Sequence, residues 1–549
     1  MRLKIIKSPR FKGETDYLPP LAISQIYSFL KNKGFEISQE DLNQREVPSK
    51  KDIFGSTYKK RLKNIFSREF SAYLTTGKDD HYEAIASQYL SSGEMDSIDI
   101  LLVSICYSDF CSSMAALLIA RYFKSKNRNK LVIMGGESIE KSYIYEGFEK
   151  YNTLGIVDYY ILGPGEESLL MLLKRIQGEA LDPKKIPGLC YRQDGQVFKN
   201  DPIRDAALVP PDFTGLSLKK YSWDQSEIFH SMSPKLFPRR EILVLPFRMI
   251  DGCPYRCAFC ASPDMSQART SSVDPQEAVS VLKRLTAEHN AKYFMFLHDT
   301  LNFSKAFINH FCDELIKADL DIRWSDSLSP LAVDGPEVLN KMYRAGARRV
   351  FFGLESASTK LQAYTGKNVN PARAAQIVKW AHEAGLWTGV QVIAGFPHET
   401  KEDIQSTVDF IIDCAPYLDV VKLQKFYLRR YTYMHSDAKK YGITNIREYD
   451  DLPELVVRQR GQNRYRFDEI GGLEWNQKEK QIERSYRTFD RLITEYRLKS
   501  YSPRDELNIL FYLYECLEDK KRIKSAFDIY QAELKKVNKL SLDLQDLDE

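Results

Sequence analysis

Short apolar runs alternate with amphipathic helical stretches over residues 239–445. Asp274, Pro275 and Glu277 give one of these helices an N-cap, a proline at its first position and a capping-box acid at its third. The runs that predict strands are Glu241–Pro246, Tyr293–Leu297, Arg349–Phe352, Thr388–Ile393 and Asp419–Gln424. Regular strand–helix units with polar residues at the strand ends predict a parallel, barrel-like sheet.

Residues 1–205 show the same alternation, with glycine turns after the apolar runs. A stretch from Pro19 to Leu30 and a stretch of small residues from Ser112 to Arg121 predict helices. The runs that predict strands are Leu3–Ile6, Ile98–Ser104, Leu131–Met134 and Val157–Leu162, with a polar insertion at about 45–95. This pattern predicts a doubly wound α/β sheet, which binds ligands at the turns beyond its strand ends.

Two further segments depart from this alternation. Residues 206–238 carry four prolines among polar residues and predict a linker. Beyond about residue 446, charged helical segments predict a small helical domain that closes over the barrel mouth. The expected fold class is therefore α/β, with a Rossmann-like domain at 1–205, a linker at 206–238, a parallel, barrel-like sheet at 239–445 and a helical C-terminal domain at 446–549.

Composition and charge narrow the class of protein. An apolar content of 43% in 549 residues predicts a folded protein of several domains. Lys and Arg number 79 against 75 Asp and Glu, and this balance gives no support to a dedicated nucleic-acid binder. The apolar run after Met1 is too short for a signal peptide, and nowhere do 18 apolar residues follow one another. We expect a cytoplasmic protein without a membrane span.

Three of the nine cysteines, Cys253, Cys257 and Cys260, lie within eight residues in a C-x3-C-x2-C pattern. Three thiolates spaced in this way can hold three corners of a [4Fe–4S] cube, which leaves the fourth iron open to a small molecule. A structural zinc site needs four closed ligands, and no second Cys/His pair follows at a suitable spacing. Unrelated core thiols would not cluster so closely. The spacing therefore predicts an oxygen-labile cluster with one open iron.

With Gly252, Pro254 and Phe259 around the thiols, this loop resembles that of the radical S-adenosylmethionine (SAM) superfamily. The resemblance implies that the sheet at 239–445 is a partial (β/α)6 barrel. It also implies that SAM chelates the open iron and is cleaved to a 5′-deoxyadenosyl radical. A second superfamily motif, which implies a contact with the ribose or amino acid part of SAM, is similar to Gly353-Leu-Glu355-Ser356. A third, which implies a contact with the adenine, is similar to Gly395-Phe-Pro-His-Glu399-Thr400. Phe259 can pack against the adenine.

Several residues near the predicted strand ends have a structural alternative. Glu355 can cap the next helix or pair with Arg348 or Arg349, and Thr400 with Asp403 is more simply a helix cap than a ligand contact. Asp299 and Asn302 can bind SAM or substrate, or cap a helix from Phe303 onward. His298 and His398 also follow strands, but a lone loop histidine is usually a solvated or hydrogen-bonded side chain, and we leave both out of the predicted site.

In the N-terminal half, the turns at Ser104, at Gly135-Gly136-Glu137 and at Gly163-x-Gly165 resemble those of the cobalamin-binding domain of B12-dependent radical SAM enzymes. That resemblance implies that Ser104 and the Gly-Gly turn line the slot for the nucleotide tail of the corrin. The D-x-H-x-x-G motif of the lower cobalt ligand is absent, since Asp79-x-His81-x-x-Ala84 lacks the glycine. We therefore expect base-off cobalamin with no histidine below the cobalt. The alternative is a set of tight turns in a sheet that binds no corrin.

The two resemblances imply a cobalamin-dependent radical SAM methyltransferase acting on an unactivated carbon or phosphorus. A radical oxidoreductase, cyclase or rearrangement enzyme, with cobalamin in another role or absent, is the alternative. A methylthiotransferase-like RNA-modifying enzyme is the third, but its second cluster would need Cys106, Cys111 and Cys190, whose spacing gives little support. The expected partners are a small-molecule or peptide substrate and an electron donor such as flavodoxin or ferredoxin, with no nucleic acid.

Overall fold

The computed structural model describes residues 1–9, 18–45, 65–105, 110–136, 148–203, 208–224, 226–262, 270–448, 465–500, 505–517 and 519–545. The chain divides into two compact units. The N-terminal unit comprises Met1–Lys220 with Arg447–Tyr465, and the barrel unit comprises Tyr221–Ile446 with Arg466–Glu549. No helix in the described ranges is both long and apolar enough to cross a bilayer.

The N-terminal unit is built on a seven-stranded sheet of order β2-β1-β3-β4-β5-β6-β7. Strands β1–β5 pair in parallel, and β6 and β7 add an antiparallel edge. The bounds are β1 Arg2–Lys7, β2 Glu36–Asp41, β3 Ile100–Ser104, β4 Leu131–Gly135, β5 Tyr159–Ile161, β6 Leu189–Gln193 and β7 Gln196–Lys199. This half therefore has the α/β architecture that its sequence predicts.

Helices cover both faces of this sheet. Their bounds are α1 Leu21–Asn32, α2 Ile65–Thr76, α3 Asp80–Tyr89, α4 Ser92–Asp96, α5 Phe110–Lys126, α6 Phe148–Thr153 and α7 Glu166–Ile176, with short 3-10 turns at Leu42–Gln44 and Pro183–Lys185. One core packs α1 and α7 on the sheet, and the other packs α2, α3 and α5. The region expected as a polar insertion thus carries three helices, because aromatic residues such as Phe70, Tyr73 and Tyr82 recur at helical spacing among polar ones and are buried.

The barrel unit is built on a six-stranded parallel sheet of order β15-β14-β13-β12-β11-β8. The bounds in this part of the chain are β8 Val244–Phe247, β9 Ile250–Gly252, β10 Thr270–Ser272, β11 Tyr293–Phe296, β12 Arg323–Leu328, β13 Ala347–Glu355, β14 Trp387–Ala394, β15 Val420–Lys425, β16 Ile443–Glu448 and β17 Tyr465–Glu469. Strand β12 was not predicted, because polar residues such as Ser325 and Asp326 interrupt its apolar pattern. With it, the sheet forms the expected six-stranded partial barrel.

The helices of the barrel unit follow its strands. Their bounds are α8 Glu227–Met232, α9 Pro275–His289, α10 Lys305–Lys317, α11 Pro336–Arg344, α12 Thr359–Tyr364, α13 Pro371–Glu383, α14 Lys401–Cys414, α15 Tyr433–Ser436, α16 Trp475–Glu495, α17 Glu506–Cys516 and α18 Lys520–Gln545, with 3-10 turns at Leu218–Tyr221, Pro330–Ala332 and Ala438–Tyr441. Asp274 caps α9 with Pro275 at its first position, as predicted.

The C-terminal helices contact opposite ends of the barrel. Phe511 of α17 stacks on Tyr293 at the start of β11, and Phe527 of α18 packs on Trp387 at the start of β14. Both helices therefore cover the amino ends of the strands, and the expectation that the C-terminal helices close over the mouth is wrong for them. Helix α16 contacts the carboxyl ends, where Lys478 donates to the Phe396 carbonyl.

Candidate functional site

The cysteine loop follows β8 and β9 at the carboxyl ends of the barrel strands. Gly252 has a φ of 79°, and this left-handed conformation turns the chain directly before Cys253. The peptide of Ala258, between the other two cysteines, is held on both sides, because its N–H donates to the Thr365 carbonyl (2.8 Å) and its carbonyl accepts from Met434 N–H (2.9 Å). The barrel loops therefore fix the frame of the cysteine loop.

The three cysteines of the loop are free thiols, and burial affects the pKa of each of them. Burial raises the pKa of Cys253 to about 11 and that of Cys260 to about 12, and the neighbouring thiols and Asp299 add to both shifts. Burial also raises the pKa of Cys257, against the charge of Lys367. Cationic iron would reverse this preference, because metal ligation requires the thiolate.

This donor set fits an iron–sulfur cube. Among the described residues, no three His, Cys, Asp or Glu side chains converge on a single ion. A cube binds each thiolate at a different iron, so its cysteines need to surround a space rather than meet at one point.

Glu355 joins the cysteine loop to the end of β13. It sits at a register shift of that strand with a φ of 65°, and its carboxylate pairs with Lys367 Nζ at 2.9 Å. Lys367 in turn lies 6.0 Å from the ring centroid of Phe259. Although burial opposes its charge, the pKa of Lys367 is raised, because Glu355 and the thiol of Cys257 attract the ammonium. The structure thus brings together the cysteines, Phe259 and Glu355.

Glu355 pairs with neither arginine of its structural alternative, and its partner Lys367 was missed. Arg348 donates to the Tyr343 carbonyl, while Arg349 bonds to Ser325 and Glu506. Lys367 follows α12, 12 residues beyond Glu355. Its only sequence signal was a lysine after a glycine in the loop behind the Gly-x-Glu-Ser segment.

Ser356 faces the protein interior. Its hydroxyl lies 3.2 Å from the Thr407 hydroxyl and accepts from Ser358 N–H at 3.2 Å. These bonds tie the end of β13 to α14, which begins with the predicted Thr400–Asp403 capping box. A contact between Ser356 and SAM stays a prediction.

Gly395 lies against α16. A Cβ at this position would come within 2.5 Å of Ile482 Cγ1, and the φ of Gly395 is 90°. Its N–H donates to both carboxylate oxygens of Glu399, which also accepts from Ser485 of α16. The glycine is thus needed for close approach to a helix, whereas its approach to adenine stays a prediction. Phe396 meets Phe259 edge to face at 5.4 Å.

His298 and Asp326 form a buried pair beneath the cysteine loop. His298 Nδ1 lies 2.5 Å from the Asp326 carboxylate, and Nε2 accepts from Met249 N–H at 3.0 Å. Burial raises the pKa of Asp326, against the attraction of the imidazole. Asp326 was missed because it lies on the unpredicted strand β12. His398 contacts the Gly442 carbonyl instead, so both histidines have structural partners.

Asp299 and Asn302 differ in their surroundings. Asp299 accepts a hydrogen bond from Ser262, just beyond the last cysteine. Asn302 is buried and bonds to the Ser329 backbone through its amide and its carbonyl, and Ser304 is the cap of α10. Asp299 therefore lies at the barrel mouth, while Asn302 braces two loops.

In the N-terminal unit, Ser104 and Gly135 are register partners at the carboxyl edge of the sheet. Gly136 has a φ of 116° and packs against the Ile105 backbone, since a Cβ would lie 2.7 Å from that carbonyl oxygen. Gly163 has a φ of 71° and lies beside Pro202, and Gly165 begins α7. Glu137 lies outside the described residues.

The near match to a lower-ligand motif has a local structural role. Asp79 caps α3 and accepts from the N–H groups of His81 and Tyr82. This geometry agrees with the interpretation of the match as a coincidence.

Residues 247–411 match the family model of the radical SAM superfamily. An uncharacterized methyltransferase of Pyrococcus horikoshii is 27% identical over 54% of this chain and 60% of its own length. The anaerobic magnesium-protoporphyrin IX monomethyl ester cyclase of Cereibacter sphaeroides is 24% identical over 53% of this chain and 46% of its own length. The chain thus spans about half to three fifths of these relatives.

The radical S-adenosylmethionine methyltransferase TsrM from Kitasatospora setae, solved with cobalamin and a [4Fe–4S] cluster, is similar in structure. The TM-score is 0.60 at 17% identity, over 88% of this chain and 91% of that one. This likeness shows the fold, in which a Rossmann-like domain precedes a partial (β/α)6 barrel.

Proposed function

We propose that this chain, whose residues 247–411 match the radical SAM family model, is a radical SAM enzyme that holds a [4Fe–4S] cluster on Cys253, Cys257 and Cys260. The observation that carries the proposal is the convergence of three free thiols with the Lys367–Glu355 pair at the carboxyl ends of the barrel strands. Carboxyl ends of barrel strands are where such folds keep their chemistry.

The residues of this mouth have separate tasks in binding SAM. When bound, the cluster would supply the electron that cleaves SAM. Glu355, held by Lys367, would accept hydrogen bonds from a ribose or amino group, and the ring of Phe259 would pack against the adenine. Phe396 supports Phe259 from the edge, and Ser356 and Gly395 fix the segments on either side. Asp299, which accepts a hydrogen bond from Ser262, is a further acid at the mouth.

We further propose that the N-terminal unit binds cobalamin at the carboxyl edge of β3 and β4. Ser104, Gly135 and Gly136 would line the slot for the nucleotide tail, with Gly163 and Gly165 at the next turn. The D-x-H-x-x-G motif lacks its glycine, and Asp79 of the near match caps α3, so the proposal includes base-off cobalamin without a histidine below the cobalt.

Methyl transfer to an unactivated carbon or phosphorus is the proposed reaction. It is supported by the Pyrococcus methyltransferase and by the fold that this chain shares with TsrM across both units. A radical cyclisation is the second candidate, supported by the similarity to the Cereibacter cyclase. A small-molecule or peptide substrate, a flavodoxin or ferredoxin donor, no nucleic acid and a cytoplasmic location complete the proposal.

Anaerobic purification with added hydroxocobalamin, followed by desalting and metal counts, tests these assignments. The expected result is a four-iron cluster with one cobalt per chain, and Cys253→Ala is expected to lose the iron and SAM cleavage. Iron without cobalt would overturn the cobalamin and methyl-transfer proposals while leaving the radical SAM site. SAM cleavage retained in Cys253→Ala would overturn the cluster assignment.

A further inference from the structure

The six-stranded sheet has a helix-covered face and a lumen face. Phe296 and Trp324 stack at 5.0 Å and pack against Phe311 of α10, so they point outward. Ser325 is the next residue of β12 and therefore points to the lumen. Arg349 donates to its hydroxyl, which places Arg349 on the lumen face as well.

Lys422 of β15 belongs to this lumen face. Phe351 lies two residues after Arg349 in β13 and shares its side, and Lys422 Nζ lies 3.7 Å from the Phe351 ring centroid. Strand register pairs Gly353 with Gln391 and Gln391 with Lys422, which forms one row across three strands. Gln391 and Lys422 are only half-buried, so their polar ends reach the lumen.

The charges around this row are unbalanced. Among the described residues, Glu355 is paired with Lys367 and Glu506 with Arg349, whereas Lys422 has no ion-pair partner. Gln391 likewise makes no side-chain hydrogen bond within those residues. Burial, with the positive charge of Arg349, lowers the pKa of Lys422 to about 8. An ammonium in this position is stabilised when an anion binds beside it.

We infer that Lys422, with Gln391 beside it, binds an anionic oxygen group, a carboxylate or a phosphate, of the substrate in the barrel lumen. The inference rests on the proposed function, which puts the substrate in this barrel. The row lies directly below Glu355, because a register shift puts Glu355 only one position above it, opposite Val392. A substrate anchored there by its anionic end presents its remaining part toward the cysteine loop.

Competitive acetylation of the anaerobic holoenzyme with acetic anhydride, read by peptide mass spectrometry, tests the anion site. Acetate and methyl phosphate are the probes, and chloride at equal ionic strength is the reference. Lys425, on the same strand but paired with Glu483, is the internal control. Half occupancy of the site should halve the labelling rate of Lys422, because only the free amine reacts.

The expected result is slower labelling of Lys422 with at least one probe, no change at Lys425, and a labelling midpoint moved to higher pH. Gln391→Leu keeps the labelled lysine and should weaken the protection several-fold. The better of the two probes then identifies carboxylate or phosphate. Equal slowing at both lysines, no slowing, or an amine that never reacts would overturn the inference.

Iron content and SAM cleavage, measured on the same preparations, separate this inference from the proposed function. Anion protection without iron or SAM cleavage would keep the anion site and overturn the proposed function. Iron and SAM cleavage without anion protection would keep the proposed function and overturn the anion site.

Discussion

Two buried ion pairs lie at opposite ends of the barrel, and they have different surroundings. At the amino ends, the side chains of Arg349 and Glu506 are 5% and 2% exposed, and α17 supplies the acid. At the mouth, those of Lys367 and Glu355 are 14% and 9% exposed and face the thiols. The first pair joins a helix to the sheet, whereas the second positions a carboxylate where SAM is proposed to bind. Similar chemistry thus serves stability at one end and is proposed to serve binding at the other.

Breaking the pair at the amino ends should have the largest effect on stability. Arg349→Met leaves Glu506 as an uncompensated buried charge, which costs about 3–5 kcal/mol. Denaturant unfolding measures this loss. Replacing both partners, as in Arg349→Met with Glu506→Leu, should recover most of it. A double variant no more stable than the single one would contradict a purely structural role.

Gly395→Ala tests the contact between the mouth and α16. A left-handed φ costs about 1–2 kcal/mol for a residue with a Cβ, and the clash with Ile482 adds about 1–3 kcal/mol. Gly178→Ala is the matched control, since its φ is 102° and nothing lies within 4 Å of its Cβ position. Thermal unfolding should show the larger loss for Gly395→Ala, and Ile482→Ala should relieve only the clash. Equal losses of stability for the two glycine variants would show that the contact with Ile482 adds no cost at Gly395.

Lys367→Met should affect binding more than stability. The carboxylate of Glu355 then loses its partner, but its place at the mouth lets it take up a proton or water, so the stability cost is about 1–3 kcal/mol. SAM affinity, measured by anaerobic equilibrium dialysis, should fall about tenfold or more. Lys379→Met on the surface is the control. Unchanged SAM affinity with a normal iron count would show that this pair has a structural role, like the pair at the amino ends.

The smallest effect is expected at Thr400, a mouth residue with a structural role. Loss of its capping box should cost about 1 kcal/mol in unfolding free energy and leave SAM affinity unchanged. Ser304→Ala is the comparison, because it removes the cap of α10 and should cost a similar unfolding free energy. A drop in SAM affinity confined to Thr400→Ala would make Thr400 a ligand contact.

The sequence predicted those parts of the fold that local pattern determines. Continuous apolar runs marked the strands that carry Glu355 and Gly395, and Thr400 with Asp403 marked a helix start. Strand β12 escaped detection, because Arg349 and His298 satisfy its polar residues only after folding. Lys367 as the partner of Glu355 escaped for the same reason, since pairing between loops depends on tertiary contact. The three cysteines could be predicted as a site without such contacts, because they lie close together in the sequence.

The doubly held peptide of Ala258 has a consequence for how iron reaches this chain. Its two backbone bonds come from Thr365 at the end of α12 and from Met434 of α15, so the loop conformation is supported by the barrel. Loading iron and sulfide then requires rotation of side chains rather than ordering of backbone, and little conformational entropy is lost in the step. A chain isolated in air without its iron is therefore expected to be a folded precursor that can be loaded in vitro without unfolding.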